Sequence, residues 1–165
     1  MGRLNPSGKR HAAFRPGALL AAALAAGMGL SPARAEERLA GPVVAEVVRT
    51  IDGDTLEVKA RVWLGLEVTT KIRIRGIDAP EIHGRCQREK DMAAAAAARL
   101  AELAGAGEVA LSNIGEDKFG GRVDADVMTE SGKSVSDLML ASGLVRPYDG
   151  GTRGEWCGLA SLGGD

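Results

Sequence analysis

Three acidic residues and a row of cations hold most of the chemistry that this sequence can do. Asp54 lies in Ile51-Asp-Gly-Asp-Thr55, and Asp78 and Glu81 lie in Ile77-Asp-Ala-Pro-Glu81. Taken alone, the first segment has the composition of a tight turn, with Asp52 a turn residue rather than a ligand, and the second that of an exposed loop. Brought together from the edges of different strands, two carboxylates and loop carbonyls form a hard oxygen cage suited to Ca²⁺ or Mg²⁺. Lys71, Arg73 and Arg75 alternate along one strand face; the pattern by itself reads as a solvated face. Beside a dication, however, arginine forks neutralise the charge that gathers on the equatorial oxygens of a phosphodiester under attack. Zinc chemistry lacks ligands, because past residue 35 the only histidine is His83, which reads as a solvated loop residue.

The elements that must position these groups can be read from periodicity. Val43–Ile51 is a β-branched run, and Asp52-Gly53 supplies the signal of a tight hairpin turn. Thr55–Trp63 alternates, with Leu56, Val58, Ala60 and Val62 on one face and Glu57, Lys59 and Arg61 on the other, as a half-buried strand does. After a turn near Gly65, Val68, Thr70, Ile72 and Ile74 point one way and the three cations the other. Pro80 forbids a regular helix across Gly76–Arg85. Gln87–Ala104 is rich in Ala, Arg and Leu and predicts a helix, stopped by Gly105 and Gly107. Val109–Ile114 and Arg122–Met128 read as strands joined by the polar loop Gly115–Gly121. Ser134 with Asp137 resembles a capping box opening a short helix over Val135–Ala141, and beyond Pro147 the chain is Gly-rich and irregular. Five strands with a helix after the third predict an α+β, mainly β fold: a small five-stranded barrel with helices packed on it.

Composition narrows the class. The chain has 165 residues, 45% hydrophobic and 26% charged, which suits one packed domain with a core of Val, Ile, Leu and Ala because aromatics are only 3%. No apolar run reaches the ~20 residues that a membrane-spanning helix needs, and no internal repeat is present. Residues 1–35 read as a signal peptide: Arg3, Lys9, Arg10 and Arg15, then apolar Gly17–Leu30, then Ala33-x-Ala35 before a mature start at Glu36. The expected product is exported, periplasmic or secreted, with no membrane partner after cleavage. The whole chain has 21 basic and 22 acidic residues; removing the leader's five basic residues leaves 16 against 22, a net charge of −6. Such a protein cannot hold nucleic acid by bulk attraction, so any phosphate chemistry must be local. Cys86 and Cys157 are the only cysteines, and in an exported protein an even pair predicts a disulfide.

Four segments together resemble the staphylococcal nuclease (thermonuclease) family: Ile51–Leu56 (IDGDTL), Ile72–Ile82 (IRIRGIDAPEI), Asp117–Arg122 (DKFGGR) and Gly143–Cys157 (GLVRPYDGGTRGEWC). They stand in the family's order and cover the chain from about Val43 to Cys157. The resemblance implies an oligonucleotide-binding (OB) barrel over 36–165, a Ca²⁺ site (Mg²⁺ as second choice) and endonucleolytic hydrolysis of DNA and RNA by a monomer, leaving 3′-phosphate ends. By the same resemblance Asp54 and Asp78 look like the metal carboxylates, with the carbonyl of Ala79 standing where the family often has Thr. Glu81 looks like the carboxylate that activates or orients water, and Arg73 and Arg122 look like the two phosphate-clamping arginines. Lys118 and Tyr148 are the candidate substrate contacts. Three features depart from the family pattern: one added glycine in Lys118-Phe119-Gly120-Gly121-Arg122, Phe119 in place of a usual tyrosine, and a shortened C-terminal helix. The rival expectations are a non-catalytic OB-fold nucleic-acid-binding module and a Ca²⁺-stabilised exported interaction domain.

Overall fold

The computed structural model describes residues 37–105, 107–117 and 120–158, so the predicted leader and Lys118 lie outside the described residues. The elements in chain order are β1 (Arg38–Leu39), β2 (Val43–Thr50), β3 (Thr55–Trp63), β4 (Leu66–Ile74), β5 (Ile77–Asp78), α1 (Gln87–Ala104), β6 (Glu108–Glu116), β7 (Val123–Thr129), α2 (Val135–Ala141) and β8 (Arg146–Pro147). Strands β2, β3, β4, β7 and β6 pair in that order, and β6 pairs back onto β2 to close a five-stranded barrel. The β4–β7 pairing is parallel and the other barrel pairings are antiparallel. This is the expected OB-type α+β architecture, with three two-residue strands added: β1 extends the sheet beside β6, and β5 pairs with β8.

Alternation along each strand sends aliphatic side chains inward. Leu56 and Val58 of β3, Ile72 and Ile74 of β4, Leu111 of β6 and Val127 of β7 are buried together. Ala96 and Leu100 of α1 and Val135 and Met139 of α2 join the same core, and among the described residues the only buried aromatic side chain is Trp156. The predicted cap of α2 is present: Ser134 Oγ accepts a hydrogen bond from Asp137 N–H at 3.2 Å.

Two strand readings need correction. The apolar faces of β3 and β4 do not stay covered toward their hairpin: Val62 of β3 and Val68 of β4 are exposed, as are Trp63, Leu64 and Leu66 at the hairpin, while α1 packs mainly on β2 and α2 on β7. The row Lys71, Arg73 and Arg75 is not a solvated face. Lys71 is exposed, but Arg75 is half-buried against Asp124 and Arg73 is buried, because the Ile77–Glu81 segment and Tyr148 fold over that side of β4.

Candidate active site

The acidic and cationic candidates meet at the end of the barrel where β3 and β7 begin and β4 ends. Asp54 closes the β2–β3 turn, in which Asp52 Oδ1 accepts the Asp54 N–H at 3.0 Å. The turn is pressed against the helix and the acidic loop. A Cβ on Gly53 would come within 2.6 Å of Ala96 Cβ and 2.8 Å of Ala79 Cβ, so only glycine permits this approach. Register places Thr55 opposite Arg73, and Ile74 N–H donates to the Asp54 carbonyl at 2.8 Å, setting Asp54 beside the Arg73 side chain.

Asp54, Asp78 and Arg73 are all buried. Arg73 Nη2 lies 3.2 Å from Asp54 Oδ2 and 3.7 Å from Asp78 Oδ1, while its Nη1 donates to the Ile77 carbonyl at 3.2 Å. Asp54 also accepts from Thr55 Oγ1 at 2.9 Å and from the Ala79 N–H at 3.2 Å. Burial pushes the Asp78 carboxyl above the usual carboxylate range and the charge of Asp54 adds to this; Arg153, Arg73 and a hydrogen bond from Trp156 pull it back. Burial likewise raises Asp52, with the charge of Asp54 second. Glu81 is 55% exposed at its side chain and pairs with Arg153.

Arg122 reaches the same place from the other side. It lines a cleft of about 30 Å³ together with Asp52, Asp54, Ala79, Glu81 and Arg153; this is room for an ion or a water, not a nucleotide. The added glycine in its loop is absorbed locally. Gly120 and Gly121 both take positive φ (67° and 68°), the Asp117 N–H donates to the Arg122 carbonyl at 3.3 Å, and Asp117 Oδ2 holds Arg122 Nε at 2.6 Å. Tyr148 carries Arg73 over its ring at 5.2 Å and gives its hydroxyl to the Gly151 carbonyl at 2.8 Å, beside a cavity of about 930 Å³. Cys86 and Cys157 form the expected disulfide, with Cα atoms 6.0 Å apart. Their sulfurs converge with Glu89, but the bond takes both of them and leaves no metal ligand pair there.

The donor set fits a hard cation. It consists of carboxylates with a peptide segment at Ala79, and neither histidine nor thiolate lines the cleft. Asp78 Oδ1 is buried and is faced by the guanidinium groups of Arg153 at 3.1 Å and Arg73 at 3.7 Å, neither aligned as a hydrogen bond, so its charge is offset without a fixed donor.

Two contributors, Glu89 and Asp117, are assigned no role by the sequence motifs, and a third, Arg153, reads there only as one of several arginines that could guide a nucleic-acid strand. Glu89 is buried under the acidic loop, where its carboxylate accepts the N–H groups of Glu81 (3.4 Å) and Arg85 (2.9 Å). It stands at the third residue of α1, where the acid of a capping box would stand, but the N-cap is Cys86, whose side chain makes no cap hydrogen bond, so the sequence carries only half of that signal. Asp117 orients Arg122, and Arg153 bridges Asp78 and Glu81 from the irregular tail.

The closed OB-type barrel gathers buried carboxylates and arginines at one end, a set chemically able to meet a hard cation and phosphate oxygens. The family model of staphylococcal nuclease homologues matches residues 71–153, just over half of the chain, and the chain belongs to that family. Members are typically nucleases and generally depend on Ca²⁺. The matched span includes Arg73, Asp78, Glu81, Arg122 and Arg153, whereas Asp54 precedes it and rests on geometry. No curated protein matches the chain.

Proposed function

We propose that this chain is an exported, Ca²⁺-dependent endonuclease that hydrolyses phosphodiester bonds of DNA and RNA and leaves 3′-phosphate ends. The observation that carries the reading is an ion-sized cleft lined by Asp54, Ala79, Glu81 and Arg122, with Arg73 linking Asp54 to the neighbouring buried Asp78. Asp54, Asp78 and the Ala79 carbonyl would hold the cation, which supplies Lewis-acid polarisation of a phosphate oxygen when bound. The arginine forks bind and orient the phosphate and offset the negative charge that grows on its equatorial oxygens. Glu81, the most exposed of the three acids, accepts a proton from the attacking water at its carboxylate. The water oxygen bonds to phosphorus as the bond to the 5′-oxygen breaks, and that oxygen takes a proton from solvent and leaves as a 5′-hydroxyl. Single strands suit the barrel surface best, because barrel grooves track backbone and stack bases.

Digestion of plasmid DNA and of RNA with Ca²⁺ and with a chelator tests the reading. Cleavage that needs Ca²⁺ supports it; binding without cleavage leaves the non-catalytic module, and Ca²⁺ binding without any nucleic-acid response leaves the interaction domain. Glu81→Gln is expected to lower kcat by about 10²–10⁴ with KM little changed, since only proton transfer is removed; steady-state kinetics on a single-stranded oligonucleotide checks it. Asp54→Ala and Asp78→Ala should each weaken Ca²⁺ binding in calorimetry, and Asp52→Asn should do so less, because Asp52 Oδ1 is engaged by the turn. Full Ca²⁺ affinity in the Asp54→Ala, Asp78→Ala double variant would remove the metal assignment.

A further inference from the structure

Arg153 stands where the clefts around the site meet. Its Nε is 3.1 Å from Asp78 Oδ1 and its Nη1 pairs with Glu81 Oε1. It lines the ion-sized cleft and also the cavity of about 930 Å³ that runs past Arg73 and Tyr148. The segment that carries it has neither helix nor strand, yet it is held on both sides. Upstream, the Tyr148 N–H donates to the Gly76 carbonyl at 3.0 Å. Downstream, Arg146 donates to the Glu155 carbonyl at 3.0 Å and lies over the Trp156 ring at 3.7 Å, Trp156 is buried, and Cys157 is bonded to Cys86. The backbone of Arg153 is therefore pre-placed, while its side chain is 36% exposed and has room to swing.

A guanidinium shared by two carboxylates gives them the positive charge that a bound dication would give instead. The two cannot both sit against Asp78 without repulsion. Loading of the cation displaces the guanidinium from Asp78 toward the adjoining cavity, where its planar fork matches phosphate oxygens. We infer that Arg153 is a third phosphate-binding arginine of this site, a substrate-binding residue that competes with the cation for Asp78 and stays paired with Glu81 until nucleic acid is present. The inference rests on the nuclease reading and adds to it a residue brought to the site by the disulfide-tied tail.

The experiment compares the full chain with Arg153→Ala and Arg153→Lys. Without nucleic acid, calorimetry should show Ca²⁺ affinity rising by up to about fivefold in Arg153→Ala, the scale of a partly exposed ion pair. With Ca²⁺ and a single-stranded oligonucleotide, kcat/KM should fall about 10- to 100-fold, mostly through KM. The slope of log kcat/KM against log salt should also become shallower by about 0.7, the loss of one single-strand phosphate contact. Arg153→Lys keeps the charge and should restore the slope. An unchanged slope and KM in Arg153→Ala, or weaker Ca²⁺ binding, would reduce Arg153 to a structural ion pair and overturn the inference while wild-type cleavage left the nuclease reading standing. A wild-type protein with no Ca²⁺-dependent action on nucleic acid would instead overturn both.

Discussion

Replacing Arg73 with alanine should lower stability by about 3–5 kcal/mol, the usual cost of removing one partner from a buried ion cluster. Arg73 is the only cation in contact with both Asp54 and Asp78 among the described residues, and both acids are buried. Without it, Asp54 has no cation beside it among the described residues, Asp78 keeps Arg153 alone, and the Ile77 carbonyl loses its donor. Urea unfolding measures this directly. Added Ca²⁺ should return part of the loss, because a ligand at about 100 times its Kd contributes ~2.7 kcal/mol to the folded state. Arg73→Lys separates charge from shape. It keeps a counterion for the acids and should fold, but one ammonium cannot serve Asp54, Asp78, the Ile77 carbonyl and a phosphate as a fork does. A fall of about 10²–10³ in turnover is expected, as for the loss of a preorganised electrostatic contact. Near wild-type turnover in a folded Arg73→Lys protein would take Arg73 out of the catalytic machinery.

The same residue shows what could be read from sequence and what could not. Period-two alternation puts Arg73 opposite Ile72 and Ile74, and that is where it lies. What alternation cannot report is whether anything covers the outer face, and here the cover comes from the Ile77–Glu81 segment and from Tyr148, far along the chain. The β3–β4 hairpin fails in the opposite sense. Val62 and Val68 keep the apolar beat, yet both are exposed. Long periodic elements were legible to the residue, as in β3, α1 and α2, because propensity, period and caps agree there. The two-residue strands β1, β5 and β8 were not, since so short a segment has no period and exists only through its partner. In the site, Asp54, Asp78, Arg73 and Glu81 were visible as types and spacing. Arg153 and Trp156 sit in a stretch whose glycine content reads as mere irregularity, so their arrival beside Asp78 depended on the tie at Cys157.

That tie sets the second large expectation: reduction of Cys86–Cys157 should cost about 4 kcal/mol. The bond closes a loop with a sequence separation of 71 residues, and the chain-entropy relation gives about that figure for a loop of this length. Set against the ~5–15 kcal/mol by which a domain of this size is stable, the loss should lower Tm by roughly 10 °C or more. The damage should also be uneven. Asp54 is held by the β2–β3 turn, Thr55 and the Ala79 N–H, none of which depends on the tail, so Ca²⁺ ligation should persist in the reduced protein. Trp156 is buried on the tail side next to the bond, and Arg153 reaches Asp78 from that segment; both should loosen. The expected pattern is therefore a higher KM for oligonucleotide, a Ca²⁺ affinity kept or raised by up to about fivefold as Arg153 leaves Asp78, and a lower Tm, reproduced by the Cys86→Ser, Cys157→Ser double variant without reductant. Peptide mapping of protein taken from an oxidising compartment, with thiols blocked before digestion, checks the bond itself. Both cysteines alkylated in the non-reduced sample would overturn the bond, and a reduced protein with unaltered Tm and KM would show that the tail stays docked through Trp156 and Arg146 alone.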